Sequence, residues 1–494
     1  MTWNSVAAVG IAISIVAAPA AGQSIGASLA GVVRDESGAL LPGVTISLTN
    51  TASGRTQTVT SDSRGEFRAV ALQPAAYRLA AEQSGFARLE QDVTLNVGTA
   101  LTIDIQLTFA GVRETVTVAA ATTTLSPAIA KSQPSGLVSA TAITSLPAIG
   151  RNFMALAELL PGSGPLNSTV ARYASTRFGG MADQRSGFTT LVDGGDVDDA
   201  QWGSPVINLT LEGVQEFKVF RHQFDAQYGS ALGAVVSVVT RAGGNQLEGS
   251  AFYFGRDNAM NARNAFADRN LPFDEQRIGV TIGGPLIRNR THLFGSFERD
   301  QVDTVRIISH PPSNPFAARE NGVFPAPFDE GMAVLRADHR ISPAHAIFVR
   351  YLHDDMTSIR LNGSPSPDSA QVDTFSRAHS VVGEVATSLS SRSLNTLRAH
   401  WFTHTTGGTP HTLERTPGIQ RPSVTTGQTL FEWQTLSRTR VVLSDALFMS
   451  RGNHDLKIGG DVAFGDHRLD SHFLEDGMFV FTTDVDFDPA VQST

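Results

Sequence analysis

The sequence predicts a mainly β, exported protein of several domains: an N-terminal β-sandwich followed, further on, by strands of a transmembrane β-barrel. Three observations carry this expectation. Apolar and polar residues alternate over many short segments, the period of two that turns one face of a strand inward. The 494 residues include 45 Gly and 28 Phe, with 41% hydrophobic and 17% charged residues, a balance that suits strands and turns better than helical bundles. The one long apolar run lies at the N-terminus, and no segment reaches the ~20 residues that cross a bilayer as a helix. A chain of this length also exceeds what one hydrophobic core serves, so two or three domains are expected.

The N-terminal run, VAAVGIAISIVAA from Val6 to Ala18, is followed by Ala18-Pro19-Ala20 and Ala21-Gly22, the small-residue pattern of a cleavage site. Residues 1–22 are therefore read as a signal peptide, although Met1 to Ser5 contain no Lys or Arg. The chain has no cysteine, which excludes disulfides, thiolate metal sites and a lipid-anchored N-terminal Cys. Its formal net charge of −9, with no compensating Lys/Arg run, argues against nucleic acid as a partner.

From residue 27 to 108 the alternation is strict. Val44, Ile46 and Leu48 interleave with Thr45, Ser47 and Thr49; Leu101, Ile103, Ile105 and Leu107 interleave with Thr102, Asp104 and Gln106. Turn signals at Asp35-Glu36-Ser37-Gly38, Leu41-Pro42-Gly43 and Asp62-Ser63-Arg64-Gly65 separate the strands, so a small antiparallel sandwich is expected. The order Gly31-Val32-Val33, Pro42-Gly43-Val44, Asp62 to Phe67, Leu72-Gln73-Pro74, Tyr77 and Gly85-Phe86 resembles the carboxypeptidase regulatory-like domain, a carbohydrate-binding-like sandwich. No nucleophile is arranged with a base there, so that resemblance implies a spacer or a possible glycan-binding module and no catalysis.

Downstream, Glu114-Thr115-Val116-Thr117-Val118 is an extended strand followed by small residues; it resembles a TonB box, or equally the last strand of the preceding domain. From Gly150 the periodicity turns helical, with Phe153, Leu156, Ala157 and Leu160 on one face and Pro161-Gly162 ending the run. The order Gly150-Arg151-Asn152-Phe153, Leu160-Pro161-Gly162, Asp193-Gly194, Glu216, Tyr228-Gly229, Thr240, Gly243 and Asn245 resembles the Oar-like TonB-dependent receptors. Arg241-Ala242 and Gly244 depart from the family's usual Lys-Ser and Thr. The resemblance implies an α+β plug over residues 112–245, including the box, and a partial antiparallel transmembrane barrel over 246–494. It also implies a TonB-type energy-coupling partner in the periplasm. The family's glycines suit a plug threaded through a barrel, where backbones must turn tightly and approach closely.

Beyond Gln246, segments of about ten residues alternate in polarity, the pattern of strands showing one face to lipid and one to a lumen. Ile278, Val280 and Ile282 are one such set; Leu397, Ala399 and Trp401 another; Leu456, Ile458, Val462 and Phe464 a third. Gly249 to Phe252, Asn261 to Asn264 and Gly283-Gly284-Pro285-Leu286 continue the family resemblance. Segments 309–327 and 407–425 read as extracellular loops. Roughly eight to eleven strands fit after Gln246, against the ~22 of a plugged transporter, so the barrel is expected to be incomplete at its C-terminal end, with an independently closed smaller barrel as the alternative.

Catalytic and metal chemistry find little support. His400 and His404 have the spacing of a zinc helix, but Trp401 replaces the required Glu and the local pattern is a strand. The acidic stretch Asp193-Gly194-Gly195-Asp196-Val197-Asp198-Asp199 lacks EF-hand spacing and reads as a solvated loop. No phosphate loop, dinucleotide fingerprint or nucleophile elbow occurs. No enzyme activity, metal or cofactor is expected. The leading expectation is an outer-membrane receptor, embedded in outer-membrane lipid, that takes up a scarce, unidentified extracellular solute; the alternative is a surface adhesion or glycan-binding scaffold without transport.

Overall fold

A computed structural model describes residues 26–110, 135–146, 151–165, 176–178, 188–199 and, with short interruptions, 205–485. The stretch 1–22 read as a signal peptide, the candidate box at Glu114 to Val118 and Gly150 lie outside the described residues.

The expected sandwich forms from eight strands: β1 (Ala27–Asp35), β2 (Thr45–Asn50), β3 (Thr56–Thr60), β4 (Glu66–Leu72), β5 (Ala75–Glu82), β6 (Leu89–Leu95), β7 (Ala100–Thr102) and β8 (Ile105–Leu107). One sheet runs β4-β1-β7, with β8 also pairing β1; the other runs β3-β2-β5-β6. The sandwich is not wholly antiparallel as expected, because β7 and β8 both run parallel to β1. Ile46 and Leu48 pack with Leu29, Leu79 and Ile105 in one buried cluster, while Thr45 on the opposite face is exposed. The turns fall where the sequence placed them, with Gly38, Gly43 and Gly65 at positive φ. Asp62 Oδ1 accepts hydrogen bonds from the backbone N–H groups of Arg64 and Glu66 and fixes the last of these.

A second, five-stranded sheet follows: β9 (Ser135–Val138), β10 (Phe188–Val192), β11 (Gly195–Asp196), β12 (Val214–Arg221) and β13 (Ala234–Thr240), in the order β11-β10-β13-β12-β9. β10 and β13 pair in parallel and are buried along their whole length, which is why β13 is apolar on both faces but for Ser237 and Thr240 rather than alternating. The expected helix after Gly150 is a 3₁₀ helix, Phe153–Leu159, capped by the Asn152 side chain and burying Phe153, Leu156 and Ala157.

The third unit is a large antiparallel sheet of nine long strands: β14 (Glu248–Asp257), β15 (Phe273–Ile287), β16 (Thr291–Ile308), β17 (Phe328–Arg340), β18 (His345–Leu361), β19 (Gln371–Ser390), β20 (Ser393–Pro410), β21 (Trp433–Arg451) and β22 (His454–His472). Each pairs with the next. Tight turns at 288–290 and 341–344 lie at one end, where β19 and β20, and β21 and β22, are each separated by two residues, and longer connections lie at the other. The alternation is realised: Ile278, Val280, Ile282 and Leu286 point outward and are exposed, whereas Arg277 is buried. Eight residues of tilted strand span about 21 Å, close to the ~25 Å apolar band of an outer-membrane barrel. Among the described residues β14 and β22 do not pair with one another, so the sheet is open.

The central sheet sits against the concave face of the large one. Phe217, Val219, Val236 and Val238 share a buried cluster with Val334, Leu352, Ala378 and Phe402, which are the inward residues of β17, β18, β19 and β20.

Candidate functional site

β10 and β11 are joined by Asp193 and Gly194, both at positive φ (47° and 78°), as a two-residue hairpin turn of the Asp-Gly type requires. The turn sits inside the barrel sheet. Asp193 is wholly buried and accepts four hydrogen bonds. Thr240 donates from its backbone N–H (3.1 Å) and its hydroxyl (2.7 Å), Arg336 from Nη1 (3.3 Å) and Arg350 from Nε (3.3 Å). Arg350 also reaches the Val192 carbonyl (2.6 Å) and Ser380 Oγ (2.8 Å).

The rest of the acidic stretch is held in the same way. Arg440 donates to both the carboxylate and the carbonyl of Asp196, each at 2.6 Å. Arg438 donates to the Asp198 carbonyl. Asp198 Oδ2 accepts the Thr190 backbone N–H at 2.6 Å, and burial, aided by the nearby Asp196 charge, pushes its carboxyl well above the usual range. The expectation of a solvated loop is therefore overturned. The acidic stretch is buried, because its countercharges arrive from strands more than 140 residues downstream in sequence.

The other predicted residues divide between two further contacts. Arg151, at φ 52°, binds Glu212 and, at 3.2 Å, Glu298; it lies 4.6 Å over the Phe252 ring. Phe153 meets Phe217 edge to face at 5.7 Å. Gly243 passes so close to β16 that a Cβ there would lie 2.2 Å from the Leu293 carbonyl oxygen, a backbone contact that a side chain could enter only by moving the two strands apart.

Glu216 and Asn245 face the sandwich. Glu216 accepts the Val97 backbone N–H, and its neighbour Lys218 donates to the Gly98 carbonyl at 3.1 Å. Burial raises the Glu216 pKa and lowers that of Lys218. Asn245 donates from its backbone to the Ala52 carbonyl (2.7 Å) and exchanges two 2.7 Å hydrogen bonds with Asn289, at the tip of the first tight turn. The sandwich thus docks at the tight-turn end of the large sheet, which in such barrels is the periplasmic end. Tyr228 stacks on Phe220 at 5.5 Å. A Cβ at Gly229 would meet nothing within 4 Å, so nothing in the structure explains that glycine.

Sequence reasoning missed Arg336, Arg350, Arg398, Arg438 and Arg440. The available signal was their parity: each falls on the inward phase of a strand whose other phase is apolar, in a chain with few charges. His400 and His404 are likewise inward on β20, hydrogen-bonded with Ser380 Oγ and Ser376 Oγ at 3.0 Å; an i, i+4 pair shares a face in a strand as well as in a helix. Among the described residues no three His, Cys, Asp or Glu form a metal-binding group.

Comparison with known proteins follows this division. Residues 28–108 match the carboxypeptidase regulatory-like domain, and residues 239–328 and 308–492 match the outer membrane beta barrel domain. The TonB-dependent transporter Oar of Myxococcus xanthus is 25% identical over 265 residues, covering 49% of this chain and 23% of Oar. The outer membrane transporter YddB from Escherichia coli superposes with a TM-score of 0.51 at 11% identity, covering 68% of this chain and 48% of YddB. The chain thus spans under a quarter of its curated relative and about half of the transporter whose fold it shares. With just over half of its residues matched to that one family, and with an apolar outer face on the strands that match, the chain belongs to the outer membrane beta barrel domain family and lies in the outer membrane.

Proposed function

We propose that this chain is part of a TonB-dependent transporter that brings a scarce solute through the outer membrane, with residues 112–245 as its plug. The observation that carries the reading is the seating of the central sheet in the concave face of the large sheet through the buried Asp193, Arg336 and Arg350 cluster. A domain held across a lumen by charged pairs closes the passage, and those pairs can exchange partners when it moves. Similarity to the Oar transporter over 265 residues supports this.

In this reading Glu114 to Val118 is the segment a periplasmic TonB-type protein grips, adding a strand to the partner's sheet. The exposed apolar band of β15 to β21 meets outer-membrane lipid. The solute enters from the long-loop end, and the sandwich stands at the periplasmic exit. Glycan binding by the sandwich would be a separate property, tested by binding of the purified chain to an oligosaccharide array.

The test is deletion of residues 114–118 in the natural full-length protein, with uptake of labelled iron-siderophore complexes, cobalamin, oligosaccharides and peptides compared with surface binding of the same panel. Transport predicts that uptake of one solute stops while its surface binding persists. Unchanged uptake of that solute would remove energised transport from consideration.

A further inference from the structure

The docked sandwich encloses a cavity of about 340 Å³ between its β2–β3 hairpin, the end of β13 and the tight-turn end of β15 to β18. That is the small end of the range of ligand pockets, ~300–1,000 Å³. Three carboxylates line it, and each is already held: Asp193 and Asp338 by Arg336, and Glu384 by Arg398. Three guanidiniums also line it and have no carboxylate partner among the described residues: Arg55 from the sandwich, and Arg290 and Arg340 from the barrel turns.

Both walls of this cavity are built. The Arg340 backbone N–H donates to the Arg290 carbonyl at 2.8 Å, and Arg290 Nε lies 3.4 Å from the Arg340 carbonyl, so the two residues are tied together and both line this wall. Across from them, Arg55 follows Gly54, whose φ of +70° and absent side chain let the hairpin tip sit on Asn289; a Cβ there would lie 2.1 Å from Asn289 Oδ1. Asn245 ties this hairpin and that turn together. Like charges held on opposite walls of one cavity repel unless an anion lies between them.

We propose that this cavity is a binding site for a phosphate group, which bridges Arg55 to Arg290 and Arg340 and so fastens the sandwich to the barrel. Guanidinium forks favour oxyanions, and the several oxygens and near-double charge of a phosphate match three cations better than a carboxylate does. The volume leaves room for an ester beyond the phosphate itself. The carrier is either a soluble phosphate ester in the periplasm or the headgroup of a phospholipid in the inner leaflet beside the tight turns. Because the ligand binds only when both walls are in place, it stabilises the docked sandwich by mass action.

The test uses the full chain in neutral detergent, titrated with inorganic phosphate and with sn-glycerol 3-phosphate by calorimetry. In parallel it uses nanodiscs of phosphatidylcholine with and without phosphatidylglycerol, reading protection of the β2–β3 hairpin by hydrogen exchange. The expected result is a response in one arm that weakens at least tenfold in the triple variant R55Q, R290Q and R340Q, and in R55Q alone, which changes only a sandwich turn. The arm that responds identifies the carrier. No response in either arm, an unaltered response in both variants, or an equal loss in R78Q, which removes an exposed sandwich arginine that does not line the cavity and is paired with Asp92, would each overturn the site.

Discussion

Arg350 and Asp193, 157 residues apart in sequence, meet as a fully buried pair with Nε 3.3 Å from Oδ2. One belongs to β18 of the barrel sheet, the other to the hairpin turn at its centre. Removing one partner of a buried pair strands the other charge, at a cost of ~3–5 kcal/mol. Asn tolerates the positive φ of residue 193, so D193N isolates the charge from the backbone. We expect D193N to leave the barrel folded but to release the central sheet, seen as protease cleavage within residues 188–240 under conditions where the parent chain resists. Equal resistance would show that the pair does not hold the two sheets together.

Gly243 offers a steric counterpart. G243A places a methyl against the Leu293 carbonyl, and the neighbouring backbones must part, costing ~1–3 kcal/mol. A lower urea midpoint for the central sheet, with the sandwich transition unmoved, is the expected signature.

The Glu216 contact gives a pH dependence. Burial holds the Glu216 carboxyl above its usual pKa in the docked state, so the docked state keeps its proton to higher pH than the released one. Docking is then strongest below the ordinary carboxylate range and weakens as pH rises through the raised value. Lys218, shifted down by burial, works in the opposite sense only at alkaline pH. Fluorescence of a label at S53C should report easier release of the sandwich by urea at about pH 8 than at about pH 5, and E216Q should flatten the difference. A flat profile in the parent chain would exclude Glu216 as its source.

On the outer face, V280R introduces a cation into the apolar band and should cost ~2–4 kcal/mol at the bilayer midplane, whereas T281R, one residue on and inward, should cost far less. Folding yield into phosphatidylcholine vesicles, read by heat-modifiable gel mobility, compares them directly. Equal yields would mean that β15 does not face lipid.

Most of the architecture was legible because it rests on a local signal. Alternation at Ile46 and Leu48, or at Ile278 and Val280, needs only neighbours two residues away. The Asp193-Gly194 turn was also legible as a motif, but its burial was not. A run of acidic residues looks solvated unless its countercharges are known, and Arg336, Arg350 and Arg440 become its neighbours only after five strands have been laid side by side. The same limit applies to Glu216 and Asn245, whose order within the chain marked them as plug residues but whose partners, Val97, Ala52 and Asn289, lie in the two flanking domains.

Strands β17, β18, β20 and β21 grip the acidic stretch through Arg336, Arg350, Arg398, and Arg438 with Arg440, while β19 between them steadies Arg350 through Ser380 and Arg398 through Glu384. Side chains spread over five adjacent strands can converge on one small loop only if the sheet bends around it, since a flat sheet would carry the outermost of them some 20 Å apart at ~4.8 Å per strand. The loop is therefore a former as well as a cargo of the barrel: the radius to which these strands curl is set by the reach of their arginines to a single hairpin.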